Sequence, residues 1–247
     1  MSETQSAHHQ EICPKDRILV ALDVPDAAAA TQIVSEIGDG VGGFKVGLQL
    51  FAAAGPAFVR ELAKGHRVFL DLKFHDIPNT VAMASVEAAR LGAWMFNVHA
   101  LGGRAMMAHA REAVEKFCNT EGVTRPKMLA VTALTSSDEA TMKEIGVEAS
   151  IDEQVVRLAK LTQAAGLDGI VASPKEVSLV RREITDRSFL IVTPGIRPIS
   201  ATIDDQKRVT TLAGALADGS DYVVIGRPIT QAADRSAALK AILNESE

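Results

Sequence analysis

Eight short apolar runs recur along this chain, and the intervals between them carry helix signals. The runs are RILVALD (17–23), GFKVGL (43–48), RVFLDL (67–72), WMFNVH (94–99), KMLAVT (127–132), GIVA (169–172), FLIVT (189–193) and DYVVIG (221–226). Each is rich in Val, Ile or Leu and apolar on both faces, as strands of a parallel sheet covered on both sides must be. Asp26 precedes the helical pattern AAAATQIVSEI, and Asn79 and Thr80 precede VAMASVEAARL, which stops at Gly92. Three capping-box patterns follow: Ser136 with Glu139, Ser150 with Glu153, and Ser173 with Glu176, the last with Pro174 at the first helical position. Gly166 closes the helix that begins near Ser150. Eight strand–helix pairs in 247 residues predict an α/β chain folded as one (β/α)8 barrel, the TIM barrel. An open doubly wound sheet is the competing arrangement, but no GxGxxG follows the first strand.

No linker or low-complexity stretch divides the chain, so residues 17–247 read as one barrel domain preceded by a flexible segment, 1–16. That opening segment, MSETQSAHHQEICPKD, is polar and lacks the apolar core of a signal peptide; His8 and His9 read as part of a solvated tail. The apolar runs are far too short to span a bilayer. A formal net charge of −5 leaves no basic footprint for nucleic acid or an anionic membrane, so an anionic ligand must be caught by local positive groups. Cys13 and Cys118 fit no metal-ligand spacing and read as free thiols of a reducing, cytoplasmic setting.

In a barrel of this kind the chemistry sits at the C-terminal ends of the strands. There the sequence LDLKFHDIPNT (70–80) crowds Asp71, Lys73 and Asp76 together; strand one ends in Asp23, and strand two sets Lys45 among apolar neighbours. Side chains alternate along a strand, so Asp71 and Lys73 share a side. Carboxylates favour the cationic form of a lysine set among them, leaving a fixed positive charge that is also a proton donor. A carboxylate beside a bound anionic group raises the ground state by roughly 4 kcal/mol for unit charges about 4 Å apart at an effective dielectric of about 20. That repulsion vanishes if the anion departs as CO2, while the carbanion left behind faces the ammonium. Such a cluster suits anion loss followed by proton delivery, and requires neither metal nor organic cofactor. An ion-pair network that merely ties the top of the barrel is the plainer alternative.

Strand seven runs into TPGIRP (193–198) and strand eight into IGRPI (225–229), the usual phosphate loops of this fold. Gly195 and Gly226 permit close backbone approach, and Arg197 and Arg227 can fork onto phosphate oxygens. The long connection RPISATIDDQKRVTT between them is suited to cover a ligand. For Asn97 and His99 at the end of strand four, a structural hydrogen-bonding role competes with a catalytic one. His75 reads as a strand-end residue, and Thr132 and Thr135 serve either a ligand or the turn that follows.

DLKFHDIPNT, together with ALD at strand one, FKVG at strand two, TPGIRP, Gln206 and IGRPI, resembles the orotidine 5′-phosphate decarboxylase family, in order from about residue 17 to 230. The DxKxxD core alone is shared with metal-dependent sugar-phosphate decarboxylases and aldolases of the same superfamily, which supply the alternative activity; a barrel that only binds nucleotide is a further one. The resemblance implies cofactor-free decarboxylation of orotidine 5′-monophosphate to UMP. It implies that Lys73 protonates C6 of the pyrimidine, that Asp71 lies against the departing carboxylate, and that Lys45 and Asp76 complete the charged array. It assigns Asp23 to the ribose hydroxyls, Thr135 to the pyrimidine, Gln206 to base and phosphate together, Gly226 and Arg227 to the phosphate, and Arg197 to the phosphate lid region. It also implies a homodimer with shared active sites, Asp76 and Thr80 coming from the partner subunit.

Overall fold

The computed structural model describes residues 13–197 and 210–245. Eight parallel strands close on themselves, each hydrogen-bonded to the next and the last to the first. They are β1 (Ile18–Ala21), β2 (Gly43–Gly47), β3 (Val68–Phe74), β4 (Met95–His99), β5 (Lys127–Val131), β6 (Gly169–Val171), β7 (Leu190–Pro194) and β8 (Tyr222–Ile225). The closing β1–β8 pairing removes the open-sheet alternative: this is a TIM barrel, and all eight apolar runs form its staves. Helices α1 (Ala27–Ile37), α2 (Leu48–Ala63), α3 (Pro78–Arg90) and α4 (Gly103–Glu121) follow the first four strands; α2 is broken at Gly55 (φ +70°), just before Pro56. Helices α5 (Glu139–Glu144) and α6 (Ile151–Ala164) follow β5, then α7 (Pro174–Glu183), α8 (Leu212–Asp218), and α9 (Arg227–Thr230) with α10 (Arg235–Asn244).

Alternation along the strands sorts the apolar residues into two cores. Leu19, Ala21, Phe69, Met95, Leu129, Val192, Tyr222 and Val224 fill the barrel, while Ile18, Val20, Phe44, Val46, Leu70, Phe96 and Val98 face the helices. Gly169 is required where β6 meets β7, since a Cβ there would lie 2.1 Å from the Leu190 carbonyl oxygen. At the N-terminal end Trp94 packs edge-on against Tyr222, and Arg67 lies over the Trp94 ring. That end is therefore plugged, and the polar chemistry is left to the other.

Several helix starts follow the sequence reading. The Asp26 carboxylate accepts from Ala29 N, Ser150 and Glu153 form the full reciprocal box, and Gly166 takes a left-handed φ of +77° after α6. Ser173 caps α7 with Pro174 at the first position, its hydroxyl accepting from Lys175 N. Two starts differ. Helix α3 begins at Pro78, ahead of Asn79 and Thr80, because proline lacks the N–H that a first turn would leave unpaired and its φ is already helical. Helix α5 is capped by Asp138, not Ser136; Ser136 lies in a turn closed by Ser137 N donating to Leu134 O. Before β1, residues Pro14–Arg17 form a short 3-10 helix, whereas His8, His9 and the rest of 1–12 lie outside the described residues. Cys13 is exposed and Cys118 buried, both as free thiols. Among the described residues no helix is long and apolar enough to cross a membrane.

Candidate active site

At the C-terminal mouth of the barrel four of the expected charges meet. Lys73 Nζ donates to Asp71 Oδ1 at 2.7 Å, and Lys45 Nζ lies 3.0 Å from Asp23 Oδ1 and 3.4 Å from Asp71 Oδ2. Asp71 is the hub, reached by both lysines. It also accepts from Asn97 Nδ2 at 2.7 Å. Burial alone pushes the Asp71 carboxyl up, but the charges of Lys45 and Lys73 and the hydrogen bonds from Lys73 and Asn97 outweigh it and hold Asp71 below the ordinary carboxylate value. Asp71 thus stands as a preorganised anion between two ammonium groups, and charges fixed in place in this way need no reorganisation during reaction.

The local backbone explains how two neighbouring charges come to share one spot. Leu70 pairs with Phe96, but the next pairing is Phe74 with Val98, so β3 carries two more residues than β4 across this interval. Within the excursion Lys73 takes φ +51°, the left-handed region, the one non-glycine residue with positive φ among the described residues. Such a conformation costs a non-glycine residue about 1–2 kcal/mol and persists where its surroundings enforce it. Here the Lys73 N–H donates to Asn97 Oδ1 at 2.8 Å. Asn97 is fully buried, a polar residue on an otherwise apolar stretch of β4.

A cavity of about 510 Å³ opens over this array. Its walls include Asp23, Lys45, Asp71 and Lys73 together with Thr135, Gly195, Arg197, Gly226 and Arg227. The lining therefore combines charges of both signs with two guanidinium groups and two loop glycines. Gly195 has φ +86°, which a side chain would strain, and Arg197 Nε has no hydrogen-bond partner among the described residues. The strand-seven and strand-eight loops thus supply cationic and backbone groups about a cavity of ligand size. Ile196 bridges to Thr210, and Arg197 N donates to Thr210 O, tying together the two ends of the long connection. Gln206 lies outside the described residues.

Asp76 and Thr80 are both exposed and do not line the cavity; Asp76 Oδ1 accepts from the Ile77 N–H at 2.6 Å. Thr132 is taken up by the barrel, its hydroxyl donating to Val171 O, while Thr135 faces the cavity. His75 and His99 stack with ring centroids 5.3 Å apart. Gln231 also lines the cavity, and nothing in its sequence surroundings marks it out. The Asp71 oxygens are occupied by lysines and an amide, and among the described residues no three His, Cys, Asp or Glu side chains gather as metal ligands.

A sequence profile described as "Orotidine 5′-phosphate decarboxylase / HUMPS family" matches residues 16–242. The chain belongs to that family. It is similar to the orotidine 5′-phosphate decarboxylases of Geobacter sulfurreducens and Geobacter metallireducens, each 54% identical over 232 residues, covering 94% of this chain and 96% of the relative. Among solved structures it resembles the orotidine 5′-phosphate decarboxylase of Lactobacillus acidophilus, with a TM-score of 0.81, 40% identity and coverage of 93% of this chain and 98% of that one.

Proposed function

We propose that this chain is a carboxy-lyase of de novo pyrimidine biosynthesis, converting orotidine 5′-monophosphate to UMP and CO2. The observation that carries the reading is the array in which Asp71 is bound by Lys45 and Lys73 at the mouth of the barrel, in a chain of this family. The substrate carboxylate is set against Asp71. The bond from C6 to the carboxyl carbon breaks, its electron pair stays on C6, and CO2 departs. Lys73 delivers a proton from its ammonium to C6 and is reprotonated from solvent. Ground-state repulsion is relieved as the negative charge moves away from Asp71 and towards Lys73.

In this reading Asp23, hydrogen-bonded to Lys45, takes the ribose hydroxyls, and Thr135 meets the pyrimidine. Gly226 and Arg227 grip the phosphate, with Arg197 beside them and Gln206 joining base and phosphate. Phosphate contacts remote from C6 supply the binding energy that holds like charges together. The chain acts as a homodimer in which Asp76 and Thr80 serve the partner's site. Their exposure off the cavity supports this, as do the exposed side chains of Ile77 and Met83 nearby on the chain, an apolar pair suited to burial against a second subunit.

The test is to follow the ultraviolet absorbance of orotidine 5′-monophosphate with purified protein and excess EDTA. Stoichiometric formation of UMP is the expected result. An inert substrate with folded protein and a working positive control overturns the reading. Turnover of a sugar phosphate that disappears with the chelator instead assigns the chain to metal-dependent sugar-phosphate chemistry on the same barrel.

A further inference from the structure

The array has one member that carries no charge. Asn97 Oδ1 accepts from the backbone N–H of Lys73, and Asn97 Nδ2 donates to Asp71 Oδ1, at 2.8 Å and 2.7 Å. The amide cannot be turned over: a backbone N–H only donates and a carboxylate only accepts, so each end of the amide has a single possible partner. Both contacts fall inside the two-residue excursion of β3, where Lys73 has a left-handed φ and the regular ladder to β4 is interrupted. Asn97 stands on β4 with no solvent exposure, anchored by regular pairing to Leu129 of β5. One rigid side chain therefore fixes both the backbone that aims the Lys73 ammonium and the carboxylate that faces it.

We propose that Asn97 is a positioning residue for the decarboxylation, setting the proton donor Lys73 and the anion Asp71 in register with each other. The proposal rests on the decarboxylase reading of the site. It goes beyond that reading by assigning the geometry of the pair to an uncharged residue that does not line the cavity. Removing the amide frees the Lys73 backbone to relax from its strained conformation and leaves Asp71 oriented by lysines alone. Misplacement of reacting groups on the ångström scale is enough to cost about 100-fold in rate.

Two variants test it, with wild-type turnover as the separate check on the activity itself. Asn97→Ala is expected to lower kcat by about 100-fold while the dissociation constant for UMP, governed by phosphate contacts, stays within about threefold. Equal losses in kcat and UMP affinity mark Asn97 as general packing and overturn the proposal. Asn97→Asp keeps the shape and sets a carboxylate against Asp71. When it holds a proton it again offers one donor and one acceptor. Its activity relative to wild type is therefore expected to rise as the pH falls from about 8 to about 5, because the adjacent Asp71 raises its proton affinity. The charged and titratable groups around it are Asp71 and Lys73 of β3, Lys45 of β2 through Asp71, and His99 of its own strand with His75 stacked upon it; Leu129 and Val131 of β5 are apolar. All of these groups are present in wild type as well, and a ratio flat with pH overturns the proposal. Should both variants fail to fold, hydrogen exchange in the wild-type protein decides. A Lys73 amide exchanging as slowly as the strand amides around it supports the assignment, and one exchanging as fast as a loop amide overturns it.

Discussion

His99 shows how one residue's surroundings set its chemistry. Its ring is half-buried and stacked on His75, its Nδ1 is shielded from solvent and without a hydrogen-bond partner among the described residues, and its pKa is lowered from 6.5 to about 4. Burial is the main cause, followed by the positive charges of His75 and Lys73. The folded chain therefore keeps His99 neutral while the unfolded chain protonates it near pH 6.5. As the pH falls from 6.5 towards 4 the unfolded state gains protons that the folded state does not, so stability falls; above 6.5 it is fully restored. Asp71, lowered instead, loses its stabilisation only under more acidic conditions, below the ordinary carboxylate value. With solvent screening of the partly exposed ring taken into account, His99 accounts for on the order of 1 kcal/mol by about pH 5, a few degrees in Tm. Thermal melts of wild type and His99→Gln between about pH 7 and pH 5 check this. The variant is expected to show the shallower dependence, and identical slopes count against the assignment.

At the scale of elements, the same S-x-x-E pattern gives two outcomes. Ser150 caps α6 reciprocally with Glu153, its N–H donating to the Glu153 carboxylate at 3.0 Å and its hydroxyl accepting from Glu153 N at 3.3 Å. Ser136 is exposed in a turn, and Asp138 takes the cap of α5 through Thr141 N at 2.9 Å. Asparagine, aspartate and serine are comparably good caps, so the residue adjoining the first helical turn wins. Ser150→Ala is expected to cost about 1 kcal/mol in denaturant unfolding, and Ser136→Ala less than about 0.5 kcal/mol. Similar losses in the two variants contradict the cap assignments. The strand ends follow the same logic of local competition. The excursion in β3 is invisible in LDLKFHD, because the apolar–polar alternation of Leu70, Asp71, Leu72 and Lys73 is kept while the pairing to β4 slips.

For the whole molecule, barrel closure brings Asp23, Lys45, Asp71 and Lys73 from three strands to one point, yet leaves Asp76 and Thr80 outside the cavity lining. In the proposed dimer, Lys73→Ala and Asp76→Ala chains are each nearly inactive alone, but one site of a mixed dimer contains neither substitution. Random pairing makes half of the dimers mixed, so mixing is expected to restore up to roughly a quarter of wild-type sites. No recovery after demonstrated subunit exchange places Asp76 in its own subunit's site.

The barrel was legible because its signals are local and repeated: two-faced apolar strands and capped helices can be read from neighbouring residues alone. The charged residues of the site were legible for a related reason, since a charge at the end of a buried strand is too costly to be there without partners. Asn97 was not. A neutral amide in a strand looks the same whether it satisfies a turn or orients a catalytic pair, and its part depends on where β3 slips past β4. The residues alone did not show that Asp76 lies outside the cavity lining, where its carboxylate accepts from the Ile77 N–H. The sequence by itself determined the staves, several of the caps and the cast of charges. Which groups touch was decided by tertiary structure, because contacts between strands depend on register, and register is set by packing across the whole closed sheet.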